Sequence, residues 1–422
     1  MSGKTIAEKI LSAKSGVDAR AGAIVVAALD LTYSHDGNRP LAMELLASMG
    51  TDRVWDPARY ILFIDHHPSP NVVSAAAHTK LRAFAREQGV KLYELGDGIS
   101  HVVLPERGHI APGDLVIGSD SHSCTGGALA AFTTGVGSTD MAAAIATGKL
   151  WLRVPETILM RCDGTLPPGV AAKDLALAIA KRIGADGATY MAIEFAGTAV
   201  DRLSMDGRFV LTNLAIEMGA KAGLIGTDAV TEAWLAPRLS RSWQHLRADE
   251  DAVYARVEAI DCAALTPQIA LPHNVDKVVD IETVTDVPVH QVVIGTCNAA
   301  RAEDLAEAAR ILRGKHVAPT VRLVVTPPSR DTMLAAMQSG ALATLVAAGA
   351  MVATPGCSGC AGGCHFAVPD AGENVLSTAN RNFKGRLGNP DSFIYLASAA
   401  TAAASALTGR ITDPRGYLES GA

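Results

Sequence analysis

The first residues whose types and spacing invite chemistry are Cys357, Cys360 and Cys364, carried on the stretch 355–366, PGCSGCAGGCHF. Glycines at 356, 359, 362 and 363 let the backbone fold tightly around whatever the thiolates hold. A C-x-x-C pair suits a zinc knuckle, a redox dithiol or an iron–sulfur site, and the spacing alone leaves all three open. Elsewhere Asp65 precedes His66, and an acid beside an imidazole can orient it for acid–base work. Taken by itself that pair reads as a surface loop. His101 then follows the glycine turn of GDGISH, and Asp120, Ser121, His122 and Cys124 crowd into GSDSHSCT. Three Asp/His/Ser-rich strand exits in one region are hard to read as coincidence.

Later motifs add charge and amide groups. Asn213 and Glu217 are spaced i, i+4 and project from one helix face, either as an exposed polar stripe or into a cleft. Cys297, in GTC, sits at a strand-to-helix turn where backbone amides can support a thiolate. NRNFKGR packs Arg381, Lys384 and Arg386 together, and two arginines that close can grip carboxylates bidentately. Cys162 and Cys262 have no companion ligands and read as structural.

Positioning these residues requires apolar strands alternating with alanine-rich helices, the α/β pattern. Residues 21–29 read as a strand, 33–39 as a polar loop whose His35 and Asp36 sit where α/β folds gather ligands, and 40–49 as a helix with Pro at its first turn. Strands are expected at 60–64, 115–118, 190–195, 290–294 and 321–326, and helices at 171–183 and 330–339. The turn GVGSTD opens a helix running to about 151, and its GxG is too weak to claim a nucleotide site. Prolines 155, 167 and 168, and then the 272–277 stretch, mark boundaries that divide the chain into 1–155, 156–272 and 273–422.

Composition narrows the class. At 422 residues the chain is too long for one core. Lys+Arg 37 against Asp+Glu 43 gives a net charge of −6, so no basic field exists to hold nucleic acid. The most apolar late stretch, 393–407, is broken by Ser and Thr and reads as a buried helix, not a membrane span. The N-terminus carries Lys and Glu through an amphipathic pattern without an apolar signal core, which places the chain in the cytoplasm. Seven cysteines in such a chain argue for thiols, metal or catalysis rather than disulfides.

The ordered set GDGISH, GSDSHSCTGGA, GVGSTDMAAAIATGKLW, GTC, PGC-x-x-C and STANRNFKGR resembles the aconitase superfamily, and within it the large subunits of 3-isopropylmalate dehydratase and homoaconitase-type hydro-lyases. The resemblance spans nearly the whole chain. It implies three α/β domains around a central cleft, without the C-terminal swivel domain. It also implies one 4Fe-4S cluster per subunit, held by Cys297, Cys357 and Cys360, with one iron open to substrate. An open iron suits water elimination because it pulls on the hydroxyl as a Lewis acid. By the same resemblance Asp65 and His66 match the family's Asp-His pair, the histidine donating a proton to the departing hydroxyl. His101, Asp120, Ser121, His122, Asn213, Glu217 and Asn380 match further site residues, and Arg381 and Arg386 would hold carboxylates.

Three departures stand out. Relatives usually read Cys-Thr-Asn where this chain has Cys297-Asn298-Ala299, a change that bears on hydrogen bonding around the cluster. Ser100 stands where a cysteine is usual, and Cys364 is an additional, odd thiol. Single-chain aconitases carry the swivel domain with a serine base, so the resemblance implies a separate small-subunit partner and an anionic small-molecule substrate. The expected reaction interconverts 3-isopropylmalate and 2-isopropylmalate, with homoaconitate, dimethylmalate and citraconate-type substrates as alternatives. The alternative of another class is a non-catalytic metal-binding or RNA-binding relative.

Overall fold

The computed structural model describes residues 2–37, 39–68, 70–284, 286–357, 360 and 368–418. Among them, strands form one antiparallel ribbon and three larger sheets. The first large sheet is five-stranded and parallel, in the order Lys91–Tyr93, Tyr60–Phe63, Leu31–His35, Leu115–Gly118, Phe132–Gly135. The second is four-stranded and parallel, with Thr157–Asp163 between Ala192–Ala196 and Arg256–Asp261. The third is seven-stranded. Its parallel core runs Phe393–Leu396, Asn374–Ser377, Gln291–Ile294, Arg322–Val325, Met351–Val352, and Gln268–Ala270 adds an antiparallel flank.

Parallel strands buried on both faces need apolar residues at successive positions, and Leu115–Gly118 and Gln291–Ile294 are buried at every position. In an open parallel sheet, ligands gather beyond the C-terminal strand ends where the winding direction reverses. That reversal falls between Leu31–His35 and Leu115–Gly118 in the first sheet, and between Gln291–Ile294 and Asn374–Ser377 in the third. The exits at these two points carry His35, Asp120, Cys297 and Asn380. The second sheet contributes differently, through the helix Met205–Leu214 and the 3-10 turn Ala215–Met218 that follows it.

Three local expectations are corrected. Residues 33–39 are not wholly loop, because Leu31–His35 is a central strand buried at all five positions. Full burial removes the alternation that signals a strand, and the polar Thr, Ser and His inside it suggest a loop. The helix opening at Ser138 ends at Thr147 instead of reaching 151. Gly148 takes a left-handed conformation, φ 65°, and the alternating KLWLR that follows pairs with Ile24–Ala28. Residues 393–407 are a strand, Phe393–Leu396, and then a helix, Ala399–Thr408, whose start is set by the Ser398 cap.

Close approach between the first and third sheets depends on Gly98. With φ +123° it lies against Pro328 and Ser329, and a Cβ there would meet the Ser329 Cα at 2.5 Å. No helix among the described residues is long and apolar enough to cross a membrane.

Candidate active site

A cavity of about 510 Å³ opens where the two reversal points face one another. Its lining includes Cys297, Cys357 and Cys360, together with His66, His101, Asp120 and His122. Ser121, Asn380, Arg381 and Arg386 also reach it. Asp65, Asn213 and Glu217 stand directly behind these groups. The structure thus brings together the cysteines, acid–base groups, amides and two arginines expected from the sequence, whereas Lys384 of the same loop is exposed and apart from the cavity lining, and Cys364 lies outside the described residues.

Asp65 and His66 leave the strand Tyr60–Phe63. His66 Nδ1 lies 2.7 Å from Asp65 Oδ1, and its Nε2 lies 3.1 Å from Asp120 Oδ2. Burial opposes a charge on this imidazole, but the neighbouring Cys357, Asp65 and Asp120 outweigh it and hold the ring well above its ordinary range. Asp65 is fixed in turn, since its Oδ2 accepts from the Ser100 peptide N–H at 2.7 Å and its carbonyl from Cys357 N–H at 2.9 Å. The second contact ties the first sheet's acid–base pair to the cysteine loop of the third.

Asp120 is the electrostatic centre. Its Oδ1 accepts from His122 N–H at 2.7 Å, and the same oxygen lies 3.6 Å from His101 Nδ1 and 3.7 Å from His122 Nδ1. Burial resists its ionisation, yet His101, His66 and His122 hold the carboxyl well below its usual range. His101 itself is pushed down, chiefly by burial. Glu217 lies 2.9 Å from His122 Nε2, off the line of a hydrogen bond, and accepts from Arg381 Nε at 2.6 Å. Despite burial, those two partners hold Glu217 below the usual carboxylate range. Arg381 Nη2 also donates to Ser121 Oγ at 3.0 Å. Arginine is thereby locked in one orientation facing the cavity.

The cysteine sulfurs are buried and supplied with donors. Asn213 Nδ2 and Asn380 Nδ2 lie 3.4 and 3.3 Å from Cys297 Sγ, and Arg386 Nη2 lies 2.9 Å from Cys360 Sγ. Arg386 Nε and Asn380 Oδ1 are buried without a hydrogen-bond partner among the described residues. Three buried thiols, two of them met by N–H donors, beside unsatisfied polar atoms, fit an inorganic cluster together with a polar substrate.

His35 and Asp36, which the sequence places where α/β folds gather ligands, and Lys173, which it does not mark, also contribute. Asp36 Oδ1 accepts from the peptide N–H of His66 at 2.9 Å, and His35 stacks on the His66 ring at 3.8 Å between centroids. Both lie at the exit of the strand misread as a loop. Lys173 gives no local signal, because it is one lysine in an alanine-rich helix. Its buried Nζ donates to Asn298 Oδ1 at 2.6 Å and to the Ala379 carbonyl at 2.8 Å, and burial pulls its pKa down to about 8. Asn298 Nδ2 donates to Asn213 Oδ1 at 3.0 Å, so the departure at 298 orients the amide facing Cys297.

Fold and site define a hydratase-type α/β protein. The chain belongs to the aconitase family: the model of the "Aconitase family (aconitate hydratase)" matches residues 8–409. A 3-isopropylmalate dehydratase large subunit 1 of Methanopyrus kandleri is 48% identical, over 99% of this chain and 100% of that protein. A 3-isopropylmalate dehydratase large subunit of Elusimicrobium minutum is likewise 48% identical over 99% of this chain. A probable methanogen homoaconitase large subunit of Methanosarcina mazei is 49% identical, over 93% of this chain and 100% of that protein. Among solved structures, the holo-form of Thermococcus kodakaraensis aconitase X shares the fold, with TM-score 0.51 and 13% identity over 85% of this chain and 84% of that one. Membership implies an iron–sulfur cofactor.

Proposed function

We propose that this chain is the cluster-binding large subunit of a hydro-lyase that interconverts 3-isopropylmalate and 2-isopropylmalate through an alkene intermediate. The observation that carries the reaction class is the meeting, in one cavity, of three cysteines, a histidine flanked by two carboxylates, and two arginines. The substrate rests on full-length relatives named for it. Homoaconitate is the second reading, favoured by the relative from Methanosarcina mazei.

Cys297, Cys357 and Cys360 would hold one 4Fe-4S cluster per chain with one iron open, and when bound it supplies a Lewis acid at the departing hydroxyl. His66 donates the proton to that hydroxyl, and Asp65 and Asp120 keep the imidazole charged until it does so. Arg381 and Arg386 bind substrate carboxylates and stabilise the charge that builds when a proton leaves the neighbouring carbon. Ser121 and Glu217 hold Arg381 in place, while Asn213 and Asn380 donate towards Cys297. His101 and His122 fix the Asp120 carboxylate.

A small subunit, as the large-subunit names of the relatives imply, completes the site with a serine base on a swivel domain. The chain itself is read as three α/β domains, 1–155, 156–272 and 273–422, around the cleft, and as a cytoplasmic protein. The test is anaerobic reconstitution followed by assay with 3-isopropylmalate, homocitrate and dimethylmalate, with and without the small subunit. Turnover of 3-isopropylmalate only in the pair is expected. Full turnover by the isolated chain, or iron-free protein after reconstitution, would overturn the proposal.

A further inference from the structure

Behind the acid–base pair lies a second cluster of metal-ligating side chains that the hydro-lyase chemistry does not use. Asp36, at the exit of Leu31–His35, faces His67 and, on the helix Val72–Gln88, His78. Asp36 Oδ2 is 3.2 Å from His67 Nδ1 and 3.0 Å from His78 Nε2, and the three candidate ligand atoms lie within 4.8 Å of one another. Ligands about 2.0–2.1 Å from a tetrahedral ion are separated by about 3.3 Å, so both measured distances match edges of such a polyhedron.

As a purely hydrogen-bonded cluster the arrangement is overcommitted. The same Oδ2 also accepts from the His67 peptide N–H at 3.0 Å, so three donors converge on an oxygen with two lone pairs. An ion in place of the two ring protons would use both imidazole lone pairs and remove the conflict. Asp36 and His78 are buried, whereas the His67 side chain is 34% exposed and borders a separate cavity of about 220 Å³. That cavity leaves room for solvent as a fourth ligand and a path for the ion to enter.

We propose that Asp36, His67 and His78 form a site for one borderline divalent transition ion of the zinc class, distinct from the cysteine site. Two imidazoles and a carboxylate suit such an ion and disfavour magnesium or calcium. Asp36 Oδ1 remains on the His66 and Asp65 peptide N–H groups, so the ion would brace the loop that presents the acid–base pair. The site is one of positioning, and it stands or falls independently of the substrate assignment.

The test loads full-length, cluster-replete protein with zinc under anaerobic conditions, then measures retained metal and the zinc X-ray absorption edge. About one zinc per chain is expected at full iron occupancy, with an N/O shell near 2.0–2.1 Å and no sulfur shell near 2.3 Å. His67→Gln and His78→Gln each keep an amide donor towards Asp36 and should weaken zinc binding at least about tenfold with iron content unchanged. His67 is the safer of the two because it is partly exposed. A sulfur shell, zinc binding indifferent to His67→Gln, or no retention at about 10 µM zinc would overturn the proposal.

Discussion

Replacing Asp120 by Asn tests whether its charge sets the proton on His66. The two side chains are nearly isosteric, so the amide oxygen can still accept from His122 N–H, while its NH2 faces His66 Nε2. At the observed 3.1 Å, and with an effective dielectric constant of about 20, the charge pair is worth about 5 kcal/mol before competing desolvation. One opposite charge at this range shifts a pKa by about 1–3 units, or about 1.4–4 kcal/mol. The sign follows from the direction of the native shift. His66 is held above its ordinary 6.5, so it keeps its proton as pH rises past that value and gives it up only on reaching its own higher pKa. Asp120→Asn therefore moves the alkaline limb of kcat/KM down by about 1–2 units, since Asp65 remains in place. The assay is a pH profile of the reconstituted enzyme, paired with 15N-histidine NMR of the chain. A variant whose activity falls equally at every pH, with the limb unmoved, would show that Asp120 acts through geometry and refute the electrostatic reasoning.

Three further outcomes are expected. Cys297→Ser, Cys357→Ser and Cys360→Ser should each lose the cluster by iron and sulfide analysis, while Cys364→Ser retains it. Gly98→Ala should cost at least about 2 kcal/mol in urea unfolding, because it sets a side chain at φ +123° and brings its Cβ 2.5 Å from Ser329 Cα. His109 is pulled from 6.5 to about 4, by burial first and then by Lys91 and Arg241. Its contribution to stability is therefore present above pH 6.5 and lost as pH falls towards 4. Allowing for partial exposure, His109→Gln should flatten about 2 kcal/mol of that slope while keeping an acceptor for Tyr93 Oη.

The site was unusually legible because parallel α/β sheets deliver their functional groups at strand exits, and those exits are local in sequence. A short apolar run ending in Asp65-His66, in Ser119-Asp120 or in Gly295-Thr296-Cys297 carries its own meaning. The misread elements share a physical cause. The strand Leu31–His35 is buried throughout and polar in part, so period-two patterning cannot reveal it, and His35 and Asp36 read as ligand-gathering side chains of a loop after 21–29 instead of the exit of a central strand. The run 393–407 is apolar across both a strand and a helix, and only the Ser398 cap divides them.

By itself, then, the sequence determined the residue types, their order and the family, and through strand exits it marked most of the side chains that share the cavity. Only the tertiary structure decided which of them touch. Asp120 meets His66 across 54 residues, Lys173 meets Asn298 across 125 and Arg381 meets Glu217 across 164. Such pairings depend on how neighbouring strand exits of one sheet, and helices and loops of different sheets, pack together, a matter to which local propensity and spacing are blind. Packing of the helix Val72–Gln88 against two strand exits of the first sheet likewise set His67 and His78 on one carboxylate oxygen, a convergence that no spacing in the chain announces.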